Sequence, residues 1–335
     1  MLKKKIFDKY ILITGGAGFI GSHLVKHFVN KYKNYFIVNL DKLTYASDLN
    51  YLSDIDENEN YSFIEGDICD LKLLNNIFIK FPIKYIIHLA AESHVDNSIK
   101  NPLNFIHTNI LGTVNLLEVA REKWANCSGQ HLFYNISTDE VYGSLGKDGF
   151  FTENSSYLPN SPYSASKASA DHFIRAYGKT YDFPYIISNC SNNYGPHQHL
   201  EKLIPLTINC IRAKKNIPIY GKGDSVRDWI YVLDHIDAVD TVFHLGKTSE
   251  TYNIGSNNEW ANLVLVNKIC DLVDEKLGTK NSSNLISFVS DRPGHDKRYA
   301  IDSSKIIQEL NWKPKHSMIK GLNLTIDWYL SQPPS

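Results

Sequence analysis

The sequence has no apolar run long enough to cross a bilayer, no low-complexity block and no internal repeat. A membrane-spanning helix and a solenoid are therefore excluded. Paired cysteines are missing too. Cys69, Cys127, Cys190, Cys210 and Cys270 are odd in number and widely spaced, without a Cys-x-x-Cys, which predicts reduced thiols in a cytoplasmic protein. Neither sign of charge dominates: 35 Lys+Arg stand against 36 Asp+Glu, so neither nucleic acid nor a membrane surface is favoured as a partner. His23 and His27 lie one helical turn apart and His197 is near His199, but neither pair has an evident third ligand, and no metal is expected. The basic start at residues 1–5 imitates the head of a signal peptide. Only the short run 10–13 follows before a glycine turn, so it reads as a lead into a first strand.

What is present is 335 residues, 43% hydrophobic and 21% charged, enough for two domains or one large one. Short β-rich runs alternate with helical stretches. Strands are expected at 10–14, 36–40, 62–65, 85–89, 132–137 and 185–189, with the longest helices at 102–123 and 162–181. That alternation predicts an α/β fold, a Rossmann-type doubly wound parallel sheet. Beyond Asn189 the turn signals crowd together, at 192–196, Pro218, 221–223 and 292–294. The expectation is a first, Rossmann-type domain over 1–194, with returns near 229–257. A smaller, discontinuous α/β substrate domain then spans 195–335, with substrate entering the cleft between them. Residues 332–335 read as a loose tail.

Two motifs carry chemistry. Gly15, Gly18 and Gly21 follow the first strand and open a helix, where the backbone can approach a pyrophosphate and free amides meet its charge. Asp41 ends the second strand about twenty residues on, placed to accept bonds from ribose hydroxyls and to repel a 2′-phosphate, which favours NAD. Asp67 and Ile68 reach toward adenine, although an acid at a strand end is often a cap. In Leu89-Ala90-Ala91-Glu92-Ser93, after the fourth strand, small residues let a cofactor pass closely, while Glu92 reads equally as packing, and His94 and Asp96 as structural.

The second motif is Thr138-Asp139-Glu140 with Tyr163-x-x-x-Lys167. Tyr163 and Lys167 leave one face of a helix, and the ammonium favours the phenolate. A Tyr-x-x-x-Lys arises by chance, and adjacent acids are usually a solvated loop pair. After a dinucleotide motif, however, the set gives a base for an alcohol hydroxyl plus an acid and a base for a second reaction, which points to a dehydratase. Lys202, Arg227, Arg292 and His295 read singly as surface charge. With Asn192 and Asn262 they form a candidate clamp for a second pyrophosphate, that of a nucleotide sugar.

Together these residues resemble the extended short-chain dehydrogenase/reductase family, and within it the nucleoside-diphosphate-glucose 4,6-dehydratases. The resemblance runs through Thr14-Gly-Gly-Ala-Gly-Phe-Ile-Gly21, Asp41-Lys-Leu-Thr-Tyr45, Ala90-Ala-Glu-Ser-His-Val-Asp96, Thr108-Asn-x-x-Gly-Thr113 and Ser137-Thr-Asp-Glu-Val-Tyr-Gly143. It continues in Ser191-Asn-Asn-Tyr-Gly-Pro196, Glu201-Lys-Leu-Ile-Pro205, Arg227-Asp-Trp-Ile-Tyr231 and Asp291-Arg-Pro-Gly-His-Asp296. The acid pair is its specific element, since related epimerases carry small or hydroxyl residues there. His199-Leu200 and Val264 depart from the family pattern.

The resemblance implies NAD as cofactor, held by Gly15, Gly18, Phe19, Ile20, Gly21, Asp41, Lys42, Leu43 and Thr44. Asp67, Ile68, Leu89, Ala90, Ala91, Ser93, Thr108, Tyr163, Lys167 and Asn193 complete that set. It implies a nucleotide sugar as substrate, dTDP-glucose ahead of UDP-glucose, held by Ser93, Thr138, Asn192, Lys202, Leu203 and Pro218. Tyr220, Arg227, Asn262, Arg292 and His295 close that second set. Tyr163 then deprotonates the C4 hydroxyl, with Lys167 on the ribose and Thr138 on the sugar O4. Glu140, ionised, takes the C5 proton, and Asp139, neutral, protonates the departing C6 hydroxyl. A homodimer is implied, with helices 102–123 and 162–181 bundled across a two-fold axis. Leu116, Leu117, Val119, Phe173 and Ile174 are its candidate contacts, unless they face their own sheet. The rivals are a nucleotide-sugar 4-epimerase or decarboxylase, which needs no acid at Asp139, and a dinucleotide-sensing module without chemistry.

Overall fold

The computed structural model of the protein describes residues 6–125 and 127–333; the basic start and the last two residues of the expected tail lie outside them. Two units divide the chain. The first comprises Met1–Thr138, Ser161–Asn189 and Val242–Thr251, and the second Asp139–Asn160, Cys190–Thr241 and Tyr252–Ser335. The expected span 1–194 thus differs from the first unit in carrying residues 139–160 and 190–194, and the expected return near 229–257 narrows to ten residues.

In the first unit, strands Lys9–Thr14 (β1), Tyr35–Asp41 (β2), Tyr61–Glu65 (β3), Tyr85–His88 (β4), Leu132–Thr138 (β5) and Tyr185–Cys190 (β6) build the sheet. The order is β3-β2-β1-β4-β5-β6, with Glu250–Ile254 beyond β6, seven strands in all. The pairs β1–β2, β2–β3, β1–β4 and β4–β5 are parallel. The order reverses between β1 and β4, which opens a crevice beyond their carboxyl ends. Helix Phe19–Lys31 (α1) buries Leu24, Val25, Phe28 and Val29 at helical spacing. Helix Pro162–Tyr181 has its expected bounds. Ser161 and Ser164 form a capping box, Pro162 fills the first turn, and Asp182 ends the helix in a left-handed conformation.

The helix expected over 102–123 is not uniform. Pro102–Phe105 is α-helical, Ile106–Gly112 widens into a π-helix, and Thr113–Trp124 resumes the α-helix. The wide stretch contains Asn109, whose side chain is buried and turned onto the backbone of Glu92. The dimer contacts also need correction. Leu116, Leu117, Val119 and Ile174 are buried in this unit's own core, with Leu12, Val38, Ile86 and Phe133; only Phe173 is exposed, at 43%. Four of the five pack on the sheet because a parallel sheet must be covered on both faces.

The second unit has its own core, in which Ile204, Ile208 and Ile211 join Trp229, Tyr231, Leu265, Ile269, Leu322 and Ile326. Two small sheets belong to it. One pairs Asn192–Tyr194, Val226–Tyr231 and Glu259–Ala261, and the other Ile217–Tyr220 and Ile286–Val289. No helix among the described residues is long and apolar enough to cross a membrane.

Beneath the crevice, His88 joins three elements. Thr113 Oγ1 donates to the Asn109 carbonyl at 2.7 Å, so it accepts from His88 Nε2 at 2.9 Å. His88 Nδ1 is left to accept from Thr14 Oγ1 at 2.7 Å. This wiring requires neutral imidazole. Burial, and next the charge of Lys167, push its pKa down to about 3. The folded value lies below the unfolded value of about 6.5, so the unfolded chain takes the proton first. Stability from neutral His88 is therefore full above about pH 6.5 and is lost as pH falls towards about 3. Thermal melts followed by circular dichroism should show a falling midpoint over that window, with a shallower slope in His88→Gln. An unchanged slope in the variant would remove His88 from the account.

Candidate active site

The first unit holds the residues expected on the cofactor, apart from Asn193. Gly15 has φ +74°, and a Cβ there would lie 2.7 Å from the Ala90 nitrogen, so the chain itself demands glycine. Gly18 differs: a Cβ there meets nothing nearer than the Gly15 carbonyl, at 3.4 Å. The chain tolerates a side chain at Gly18, so the bare backbone suits a ligand resting on it. Gly18 is also the N-cap of α1, without a side-chain cap and with no acid in the first turn. The amides of Phe19, Ile20 and Gly21 thus have no intrahelical acceptor, an arrangement that takes phosphate.

At the end of β2, Asp41 is buried and fixed by three donors. Its Oδ1 accepts from Leu43 N at 2.8 Å and Ser47 Oγ at 2.9 Å, and its Oδ2 from Ala17 N at 2.9 Å. A carboxylate has about four acceptor positions, so capacity for a ribose hydroxyl remains. Lys42 and Thr44 flank this turn, and Leu43 takes the left-handed φ of +55°. Asp67 accepts from Cys69 N at 2.9 Å and pairs with Lys42 at 2.8 Å, in the turn ahead of the Asp70 helix cap. Ile68 is buried against Gly112. Leu89 N bonds the Thr14 carbonyl and Ala90 N the Thr14 hydroxyl, which draws the exit of β4 over the glycine turn. His94 caps the next helix by accepting from Asn97 N, its structural reading.

Tyr163 and Lys167 lie on helix 162–181. Lys167 is buried and donates Nζ to the Ile136 carbonyl at 2.9 Å, while the half-buried Tyr163 ring meets Phe105 edge-on. Thr138, the last residue of β5, is buried. One layer of support was invisible in the sequence. Asn109 Oδ1 accepts from Glu92 N at 2.8 Å, and its Nδ2 donates to Glu92 O and to Ser166 Oγ. Ser166 in turn donates to the Tyr163 carbonyl at 2.7 Å. The only available signal was Asn109's place in the Thr108–Thr113 motif.

The second unit holds the acid pair and the clamp residues. Asp139 and Glu140 open a single 3₁₀ turn, Asp139–Tyr142. That turn is held by the Tyr142 hydroxyl on Asn253 Oδ1 and by Leu158 N on the Val141 carbonyl. Asp139 is 2% exposed. Burial pushes the Glu140 carboxyl above its ordinary value; Arg292, Arg227 and Lys202 pull it back in part, and Asp296 pushes it further up. These charges bring the expected clamp cations and the acid pair into one electrostatic neighbourhood. Arg227 is buried over the Tyr299 ring at 4.3 Å and donates to the Val226 and Asp296 carbonyls. Asp296 accepts from Asn160 Nδ2 at 2.6 Å and from the Tyr299 hydroxyl. His295 pairs with Asp291 at 2.6 Å and lies edge-on to Tyr220.

Asn192 Oδ1 and Asn262 Oδ1 are buried without a hydrogen-bond partner among the described residues. Buried acceptors of this kind fit a donor-bearing ligand. Asn193, expected on the cofactor, has both ends of its amide engaged, by His235 Nδ1 at 2.8 Å and the Ser191 carbonyl at 3.0 Å. Leu203 begins a helix behind Lys202, and Pro218 lies in a short strand. Tyr299 and Asn160 were not anticipated, and Asp296 carried no signal beyond its place at the end of the Asp291–Asp296 motif.

The family model of GDP-mannose 4,6 dehydratase matches residues 12–325. The chain belongs to this family. A dTDP-glucose 4,6-dehydratase of Shigella flexneri is 50% identical, the match covering 96% of this chain and 92% of the relative. Among solved structures, the dTDP-glucose 4,6-dehydratase of Bacillus anthracis in complex with NAD superposes with TM-score 0.86 at 44% identity, over 96% of each chain. That of Streptomyces venezuelae, also with NAD bound, gives 0.89 at 40% identity, over 96% of this chain and 97% of the other. The parallel sheet and glycine turn are thus those of the family, as the sequence motifs implied.

The electrostatics of Glu140 make a signed prediction for this family member. Its carboxyl band, isolated as an infrared difference between wild type and Glu140→Gln, should titrate above the ordinary value of about 4.3. Lys202→Ala should move it further up and Asp296→Asn should move it down. Shifts of the opposite sign would contradict this charge arrangement.

Proposed function

We propose that the protein converts dTDP-glucose to dTDP-4-dehydro-6-deoxy-glucose by NAD-dependent oxidation at C4, loss of water across C5–C6 and reduction at C6. The observation that carries this reading is the Asp139–Glu140 pair directly after Thr138, in a chain half identical to dTDP-glucose 4,6-dehydratases. A 4-epimerase or decarboxylase has no use for an acid at position 139.

NAD, which Gly15, Gly18, Asp41, Tyr163 and Lys167 would hold, would supply a hydride acceptor for C4 and a hydride donor for C6. Tyr163, with the Lys167 ammonium one turn away favouring its phenolate, takes the proton of the C4 hydroxyl. Thr138 bonds the sugar O4 and keeps that hydroxyl in line. The resulting 4-ketone acidifies the C5 hydrogen, which Glu140 removes. Asp139 delivers a proton to the departing C6 oxygen. Because neighbouring carboxyls discourage each other's ionisation, one stays protonated while the other is a base. Arg227, Arg292 and Lys202 match a nucleoside diphosphate in charge, and the Asn192 and Asn262 oxygens accept from its sugar and base. Asp41 selects NAD over NADP. The five free thiols support a cytoplasmic setting.

The two half-reactions separate by mutation. Asp139→Asn and Glu140→Gln should still oxidise C4 but eliminate water on the order of a hundred- to ten-thousand-fold more slowly. Reduced cofactor should then accumulate after rapid mixing with dTDP-glucose, read by nicotinamide absorbance. Tyr163→Phe should give no such signal. Normal 6-deoxy product from Asp139→Asn at the wild-type rate would sink the dehydratase reading, and faster turnover of UDP-glucose would replace its nucleotide.

A homodimer is part of this proposal. Leu103, Ile106, Leu111 and Phe173, on the helical stretches 102–124 and 162–181, are 75%, 50%, 44% and 43% exposed. Exposed apolar side chains on these two helical stretches suit a helix-to-helix interface across a two-fold axis. Light scattering at micromolar concentration should give twice the 38.2 kDa chain mass, and Leu103→Asp with Phe173→Asp should halve it. A wild-type monomer would refute the dimer alone.

A further inference from the structure

Helix 162–181 presents Tyr163, Lys167 and Asp171 at four-residue spacing, so the three leave one face. Asp171 is 0% exposed. A buried carboxylate is costly unless its lone pairs are met, and both oxygens are. Oδ1 accepts from Asn135 Nδ2 at 2.8 Å and Oδ2 from Ser137 Oγ at 2.7 Å. Asn135 and Ser137 are two apart on β5 and share a sheet face. Between them, the Ile136 carbonyl accepts from Lys167 Nζ. Two side chains one turn apart thus grip three consecutive strand residues, and the next residue along β5 is Thr138. An apolar contact could glue helix to strand, but it would leave the helix free to slide. Directional bonds to successive residues fix the register, the best-attested use of a buried polar group.

We propose that Asp171 is a positioning residue for C4 oxidation: it locks helix 162–181 onto β5 so that Tyr163 and Lys167 keep their offset from Thr138. The proposal rests on the roles given above to those three residues. One residue of helical slip is a displacement of about 1.5 Å, and a misplacement of about 1 Å can cost on the order of a hundredfold in rate.

Three variants separate register from charge and from stability. Asp171→Ala removes the tie. Asp171→Asn keeps it, with Oδ1 accepting from Asn135 and the amide donating to Ser137 Oγ, whose hydroxyl turns to a different acceptor. Ser137→Ala removes half of it and serves if Asp171→Ala does not fold, as judged by circular dichroism. Rapid mixing of the NAD-loaded full chain with dTDP-glucose, in a Glu140→Gln background, reads the oxidation step. The expected result for Asp171→Ala is on the order of a hundredfold slower oxidation, with KM for the sugar nucleotide and NAD affinity within about threefold of wild type. Asp171→Asn should recover to within about fivefold, and Ser137→Ala should fall between them.

A second readout needs no sugar. The Tyr163 phenolate is isolated as an ultraviolet difference against Tyr163→Phe in each background. It should appear at higher pH in Asp171→Ala, because a slipped helix breaks the Lys167 Nζ–Ile136 carbonyl bond that holds the ammonium in place, and at wild-type pH in Asp171→Asn. A folded Asp171→Ala with unchanged oxidation rate and unchanged Tyr163 titration would overturn the proposal. So would an Asp171→Asn as impaired as the alanine variant, which would make charge and not register the operative property. Should wild type turn over no nucleotide sugar, the proposed function fails, and the Tyr163 titration still decides the role of Asp171.

Discussion

The buried ammonium of Lys167 is the charge on which the first unit's chemistry depends. It cannot shed water without replacement acceptors, and the Ile136 carbonyl supplies one at 2.9 Å. Its field reaches His88 and helps to hold that imidazole neutral. The neutral tautomer in turn lets Thr14, His88, Thr113 and Asn109 form one directed chain of hydrogen bonds. From Asn109 the chain continues to Glu92 and through Ser166 to the Tyr163 backbone. One cation therefore conditions both the floor of the crevice and the seat of its neighbouring phenol. Such a network is effective only when every member is satisfied, which is why its polar residues sit where a core would ordinarily be apolar.

Much of this architecture was legible in the letters. The six strands fall within one or two residues of their expected limits because buried parallel strands read as continuous β-rich runs between turns. The helix at 162–181 was bounded by features with a local mechanism, the serine cap and Pro162 at one end and Asp182 at the other. The glycine turn and Asp41 were legible for the same reason: a left-handed glycine and an acid at a strand end have few other uses in that order.

What was not legible depends on tertiary partners. The π-helical widening at Ile106–Gly112 has no periodic signature. Leu116, Leu117, Val119 and Ile174 looked available for a subunit contact, but spacing alone does not say which of two apolar layers a helix face meets. The excursion of residues 139–160 into the second unit reads as an acidic, glycine- and serine-rich connection, and nothing local in it says which core it joins. Asp171, Asn109 and Asp296 are single polar residues whose default reading is solvent. Only the geometry reveals that each is buried and bonded on both sides.

The acid pair adds a last step. In the ligand-free chain, burial outweighs the three cations and lifts Glu140 above the ordinary carboxyl range. On the proposed roles, the same Arg227, Arg292 and Lys202 that restrain this rise are the groups a nucleoside diphosphate neutralises on binding. On those roles substrate weakens the opposition that these three cations offer to the upward shift, while exclusion of water from around the sugar adds to it. The proton affinity of Glu140 climbs as the complex forms, and a base gains strength in step with its proton affinity until it ceases to be ionised at the working pH. On those roles the cations would have two effects that compete: they would hold the substrate, and by being occupied they would stop holding Glu140 down. The clamp and the base are adjusted together because they share one set of charges.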